Sequence, residues 1–154
     1  MEIGNNFSLI ISTCDQYSDL WKAHILLLNQ NWADRNVPTF LVTDKPTDET
    51  FENVEVVAAG EGTEITERLK AVLPLIKTDY IFFTLDDYFL TEKISTEAIH
   101  EDMQIMEKHR LDYLRLFVMT MKSLKNRRAK EIEPGIFFLD NHAGDYIISL
   151  YAGI

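Results

Sequence analysis

The chain has 154 residues, about the size of one ordinary domain. Its composition is 46% hydrophobic and 26% charged, which excludes a disordered tail or a fibre and calls for a packed core. A formal net charge of −10 argues against nucleic acid as a partner.

Residues 7–12 form a short apolar run ending in Thr13-Cys14-Asp15-Gln16, which predicts a buried strand and a polar loop. Trp21, Ile25, Leu28 and Trp32 recur at helical spacing and predict an amphipathic helix over 18–33, closed by Asn36-Val37-Pro38. Strands follow at 39–43 and 54–58. Ile65, Leu69, Val72 and Ile76 predict a second helix, whose last turn Pro74 disturbs by removing a backbone donor. Tyr80-Ile-Phe-Phe-Thr-Leu85 is nearly continuous in apolar residues, the pattern of a parallel strand covered on both faces. A third helix is expected over 96–109, with Ile99, Met103 and Met106 inward, and further strands at 112–117, 136–139 and 146–151.

This order predicts an α/β fold with a mostly parallel central sheet and helices on both faces. Residues 1–154 read as a single domain with no internal repeat or low-complexity segment, and no linker divides the chain before the basic stretch at 122–130. No apolar run approaches the roughly 18–20 residues needed to span a bilayer. The first twenty residues lack the basic start and apolar core of a signal peptide. Cys14 is the one cysteine, which precludes an intrachain disulfide and suits a cytoplasmic location.

The sharpest chemical feature is the adjacent pair Asp86-Asp87 at the carboxyl end of the most apolar strand. In open α/β sheets ligands bind at that end. Neighbouring carboxylates repel unless a cation or donors compensate them, and Mg²⁺ commonly takes one or two carboxylates beside phosphate and water. The pair therefore suits a metal holding a diphosphate. Equally, it could solvate a turn. P-loop, dinucleotide-fingerprint, zinc-spacing and nucleophile-elbow patterns are absent.

Three stretches, in this order, resemble the nucleotide-sugar half of GT-A type glycosyltransferases. They are Ser8-Leu-Ile-Ile-Ser-Thr-Cys-Asp-Gln-Tyr17, Leu41-Val-Thr-Asp44 with Asp48, and Tyr80 to Leu90 with its Asp-Asp pair. The segment Glu64-Ile-Thr-Glu-Arg68-Leu69 also resembles a subgroup that acts on bacterial surface polysaccharides. The second stretch departs from the family in having Lys45-Pro46-Thr47 where a glycine-serine turn is usual.

The resemblance implies a Rossmann-like GT-A fold in which about 7–117 bind the nucleotide sugar. Residues 118–154 would then be a basic loop and an incomplete acceptor-side part. It implies that Thr13 and Asp15 line the nucleoside pocket, Asp44 meets the base or ribose, and Arg68 approaches the base or diphosphate. Asp86 would bond the ribose or sugar, and Asp87, with Asp86, would ligate Mg²⁺ or Mn²⁺. The acceptor would be a glycan or a lipid-linked sugar.

Other readings of these residues stand beside it. Asp15 and Asp44 could be turn formers, Arg68 a solvated surface residue, and Trp21 and Trp32 core aromatics rather than sugar platforms. Residues 122–130 hold five of the fifteen basic residues and no acid. They read as a solvated loop, a lid over the diphosphate, or a contact with anionic lipid at a membrane face. The candidates for a general base are Asp140, His142 and Asp145. Residues 149–154 end the chain on an apolar run, which suggests a chain cut inside its fold, and an apolar edge around 146–154 could drive homo-oligomers. A non-catalytic module binding nucleotide or a partner chain is the alternative to an enzyme.

Overall fold

A computed structural model describes residues 6–116, 120–126 and 129–138. The elements, in chain order, are β1 (Phe7–Ser12), α1 (Ser18–Asn31), β2 (Thr39–Thr43), β3 (Glu55–Ala58), α2 (Ile65–Val72), β4 (Tyr80–Leu85), α3 (Thr96–His109), α4 (Met121–Asn126), β5 (Lys130–Glu133) and β6 (Ile136–Phe138). Short 3-10 turns cover Asp15–Tyr17 and Leu73–Leu75. The second of these holds Pro74 and ends α2 at Val72, as the missing donor requires.

The fold is α/β with a Rossmann-like parallel sheet in the order β3-β2-β1-β4. β1 is paired along its whole length with β4 and from Leu9 to Ser12 with β2, so that Leu9 stands opposite both Thr39 and Phe82. Its side chains alternate between two cores. Phe7, Leu9 and Ile11 pack with Trp21, Ile25, Leu28 and Trp32 of α1 and with Ile99 and Met103 of α3. Ile10 packs on the other face with Phe40, Val42 and Val72, the last from α2. Both tryptophans are thus core residues.

Chain order and sheet order part company once. From β1 the chain steps outward to β2 and β3, then returns past both to place β4 on the other flank of β1. The carboxyl ends of β1 and β4 therefore flank the point where the winding reverses, where open α/β sheets form their ligand crevice.

Local signals fix the helices that frame this point. Glu64 and Glu67 form a capping box at the start of α2. Ser95 caps α3, its hydroxyl accepting from the Ala98 N–H. Gly60 adopts φ +122°, which side-chain-bearing residues rarely reach, so that its N–H meets the Asp44 carbonyl at 3.0 Å.

Three expectations are corrected. Residues 112–116 form no strand; Leu116 packs against the larger core without ladder bonds. β4 has side chains on both faces, Phe82 against the larger core and Phe83 against the smaller. Among the described residues, however, it pairs only with β1, and as an edge strand it is mostly half-buried rather than fully covered. Its outer side borders a cavity of about 260 Å³ shared with α3 and residues 112–116. The described part of the basic stretch is not a loop: it forms α4 and the start of β5. β5 and β6 pair antiparallel as a separate hairpin. Among the described residues no helix is long and apolar enough to cross a membrane. The predicted strand 146–151, and the apolar end beyond it, lie outside the described residues.

Candidate functional site at the carboxyl ends of β1 and β4

The site begins with Thr13, the residue after β1. Its N–H bonds the Val42 carbonyl at 2.9 Å, which carries the ladder one residue past the strand and holds the hydroxyl in place. That hydroxyl donates to Asp86 Oδ2 and accepts from Trp21 Nε1 at 2.7 Å. One proton and two lone pairs allow both bonds at once. Asp86 is only 7% exposed, so its carboxylate is a buried charge with a chosen donor.

His24 of α1 completes the group from below. Its Nδ1 lies 3.0 Å from the Asp86 carbonyl oxygen. A carbonyl only accepts, so Nδ1 carries the proton. Burial pushes the imidazole below its usual value, outweighing the Asp86 and Asp87 charges, so the ring is neutral at neutral pH. Its face meets Phe89 at 5.9 Å between ring centroids. The same burial raises the Asp86 carboxyl above its ordinary value, against the Thr13 hydrogen bond and with the help of the Asp87 charge.

Asp87, by contrast, is exposed. The turn that carries it is closed by the Tyr88 N–H on the Leu85 carbonyl at 3.2 Å. The two adjacent carboxylates thus divide: one is buried and anchored, the other faces outward.

Asp15 and Asp44 form a second group on the β2 side. Asp44 Oδ1 accepts the Asp15 N–H at 2.6 Å and so anchors the 3-10 turn after β1. Burial pushes the Asp44 carboxyl up. The Asp15 and Asp44 N–H groups, the Thr43 hydroxyl and Lys45 outweigh that and leave it lowered. Lys45 Nζ sits 3.3 Å from Asp15 Oδ2 and 3.9 Å from Glu61. Arg68 reaches in from α2: Nε lies 3.4 Å from Ser12 Oγ, and Nη1 donates to the Thr63 carbonyl.

All six candidate residues therefore stand at one end of the sheet. Thr13 and Asp86 bond directly. Asp15 and Asp44 bond through a backbone N–H. Arg68 joins by way of Ser12, and Asp87 stands beside Asp86. His24 and Lys45 are additions that residue type alone did not single out. His24 does share the stripe of Trp21, Ile25 and Leu28, where one polar residue among apolar ones signals a specific buried partner. The base candidates Asp140, His142 and Asp145 lie outside the described residues.

Among the described residues no group of three or more His, Cys, Asp or Glu is arranged to hold a metal ion. The donor set does fit a different kind of metal site. Asp87 offers one outward carboxylate, and Mg²⁺ or Mn²⁺ arriving with a diphosphate takes its other oxygens from phosphate and water. Asp86, committed to Thr13, fits a supporting place. Beneath the turn, a cavity of about 50 Å³ lined by His24, Phe82, Thr84, Tyr88 and Phe89 has room for water only. Comparison with known proteins finds no matching family model, no matching curated protein and no matching solved structure.

Proposed function

We propose that the chain is the donor-binding part of a cytoplasmic, metal-dependent glycosyltransferase that moves a sugar from a nucleotide diphosphate onto a glycan or lipid-linked acceptor. The observation that carries this reading is the Thr13–Asp86 hydrogen bond at the switch point of the sheet, with Asp87 exposed beside it. The anchored Asp86 holds the β4 turn in register with the end of β1. Asp15 and Asp44 line the nucleoside side of that rim, with the buried Thr13 as the anchor of Asp86, and Arg68 supplies a guanidinium toward base or diphosphate. Asp87 would hold Mg²⁺ or Mn²⁺, which supplies Lewis-acid neutralisation of the charge on the departing diphosphate.

The test is calorimetric titration with UDP-, GDP-, CDP- and dTDP-sugars, with and without Mn²⁺. At least one donor should bind in a metal-dependent way, and Asp87→Asn should weaken that binding with the melting temperature unchanged. No metal-dependent binding across the panel would overturn the reading. Binding without any donor hydrolysis or transfer would assign a non-catalytic nucleotide-binding module instead.

A further inference from the structure

Among the described residues a basic surface on α4 and the β5–β6 hairpin takes no part in the site above. Its lysines are legible in the chain, but the fold adds two apolar side chains to them. Met121 is 62% exposed and Phe138 is 51% exposed. Backbone geometry brings them beside the lysines. Met121 and Lys125 are four apart on α4 and share a face. The Ala129 N–H bonds the Leu124 carbonyl at 3.0 Å, so β5 starts against the last turn of α4. Lys130 stands directly opposite Phe138 in the hairpin ladder, so these two also share a face.

Lys122, Lys125 and Lys130 are all exposed, and none forms an ion pair among the described residues. The acids of the hairpin do not cancel them. Glu133 is engaged by Lys108 at 2.7 Å and His109 at 2.6 Å. Glu131 follows Lys130 onto the opposite face of the strand, where it accepts the Gly135 N–H at 3.0 Å.

The geometry points to an anionic lipid surface as the partner of this patch. A soluble polyanion would engage the lysines and leave Met121 and Phe138 in water. A bilayer interface takes both, with ammonium groups at the headgroups and apolar tips at the acyl boundary. The overall charge of −10 does not forbid this. At physiological salt the Debye length is about 8 Å, so an approaching membrane feels the nearest charges and little beyond them. Each lysine strengthens partitioning about fivefold, so the three together contribute about a hundredfold.

Vesicle co-flotation of the full chain tests this. One set is phosphatidylcholine alone; the other is two parts phosphatidylcholine to one part phosphatidylglycerol. The chain should float with the mixed vesicles only. Binding should fall as NaCl rises from about 0.1 M to about 1 M, over which screening shortens from ~10 Å to ~3 Å. Replacing Lys122, Lys125 and Lys130 together by Gln should cost about a hundredfold. Replacing Met121 and Phe138 by Gln should weaken binding at both salt concentrations. Melting temperature and nucleotide titration of each variant should match the parent chain, which separates this result from the fate of the nucleotide site. Failure to float with mixed vesicles, or flotation indifferent to the lysine variant, would overturn the assignment. So would heparin binding as tight as vesicle binding and unaffected by the apolar replacements, which would give the patch to a soluble polyanion.

Discussion

Thr13 and Asp86 lie 73 residues apart in the chain and share one hydrogen bond, which joins the end of β1 to the turn after β4. The Thr13 hydroxyl is the hub, since it also accepts the Trp21 N–H. Thr13→Val keeps the shape and removes both bonds. It strands a buried carboxylate and a buried indole N–H, each a desolvation loss, and should cost about 2–3 kcal/mol in urea unfolding. Thr13→Ser keeps the hydroxyl and loses one methyl, about 0.8 kcal/mol. Equal losses for the two variants would mean that the hydroxyl is not what matters.

Asp86 should show opposite signs for stability and function. Burial raises its carboxyl in the folded state. A raised carboxyl favours the fold at acid pH, and that contribution is lost as pH rises through the raised value. At neutral pH the buried charge is therefore a cost, which Asp86→Asn removes while Asn Oδ1 still accepts from Thr13. The variant should melt above the parent at pH 7, with the gap closing toward about pH 4, the ordinary Asp value. Removing the negative charge beside Asp87 should also weaken metal-dependent nucleotide binding, though less than Asp87→Asn does. A parent chain that melts as high as the variant at pH 7 contradicts the argument.

How far the chain announced this arrangement varies by element. The apolar stripe of Trp21, Ile25, Leu28 and Trp32 specifies its helix because burial on one helical face imposes a period, and the nearly unbroken run Tyr80–Leu85 specifies a strand that packs side chains on both faces. Residues 112–117 are also rich in apolar residues, though Asp112 and Arg115 interrupt them, and such richness reports burial and not pairing. Leu116 is packed on the core with no ladder beneath it, while Tyr113 is exposed. The Asp-Asp pair was visible, but its division into an anchored and an outward carboxylate was not. That division depends on Thr13 and His24, which only the fold brings to Asp86.

Asp44 acts on the loop after β1 as a remote cap. Its carboxylate accepts the Asp15 N–H at the start of a 3-10 turn. Asp44→Ala should cost about 1 kcal/mol, as loss of an N-cap does, and Asp44→Asn less. Hydrogen exchange gives the local readout. The Asp15 amide should lose protection in Asp44→Ala while the β1 amides keep theirs. Unchanged protection at Asp15 would show that the turn holds itself.

Glu133 ties the β5–β6 hairpin to the last turn of α3. Lys108 and then His109 hold its carboxyl below the usual value. A lowered carboxyl contributes stability above the unfolded value, about 4.3, and loses it as pH falls through the lowered folded value. The hairpin amides should therefore lose exchange protection in acid before those of β1. Glu133→Gln should show the same loss already at neutral pH. A hairpin equally protected in both chains at pH 7 would mean that the clasp contributes nothing.

Arg68 offers a way to separate binding from folding. Its guanidinium spans the Thr63 carbonyl at the head of α2 and the Ser12 hydroxyl at the end of β1. A planar fork can serve two such acceptors and still offer its remaining N–H groups to a phosphate; a lysine ammonium is a single point charge on a flexible stem. Arg68→Lys keeps the charge and loses the fork. The helix itself has other anchors, since the Glu64–Glu67 capping box and buried Val72 do not involve Arg68. Stability should therefore change by less than about 1 kcal/mol, as for a surface substitution. Affinity for the bound nucleotide diphosphate should fall about tenfold, the order expected when a two-pronged charge-assisted contact becomes a single one. Equal affinity in the parent chain and the Arg68→Lys variant would make the residue a strut between α2 and β1 and remove it from the binding rim.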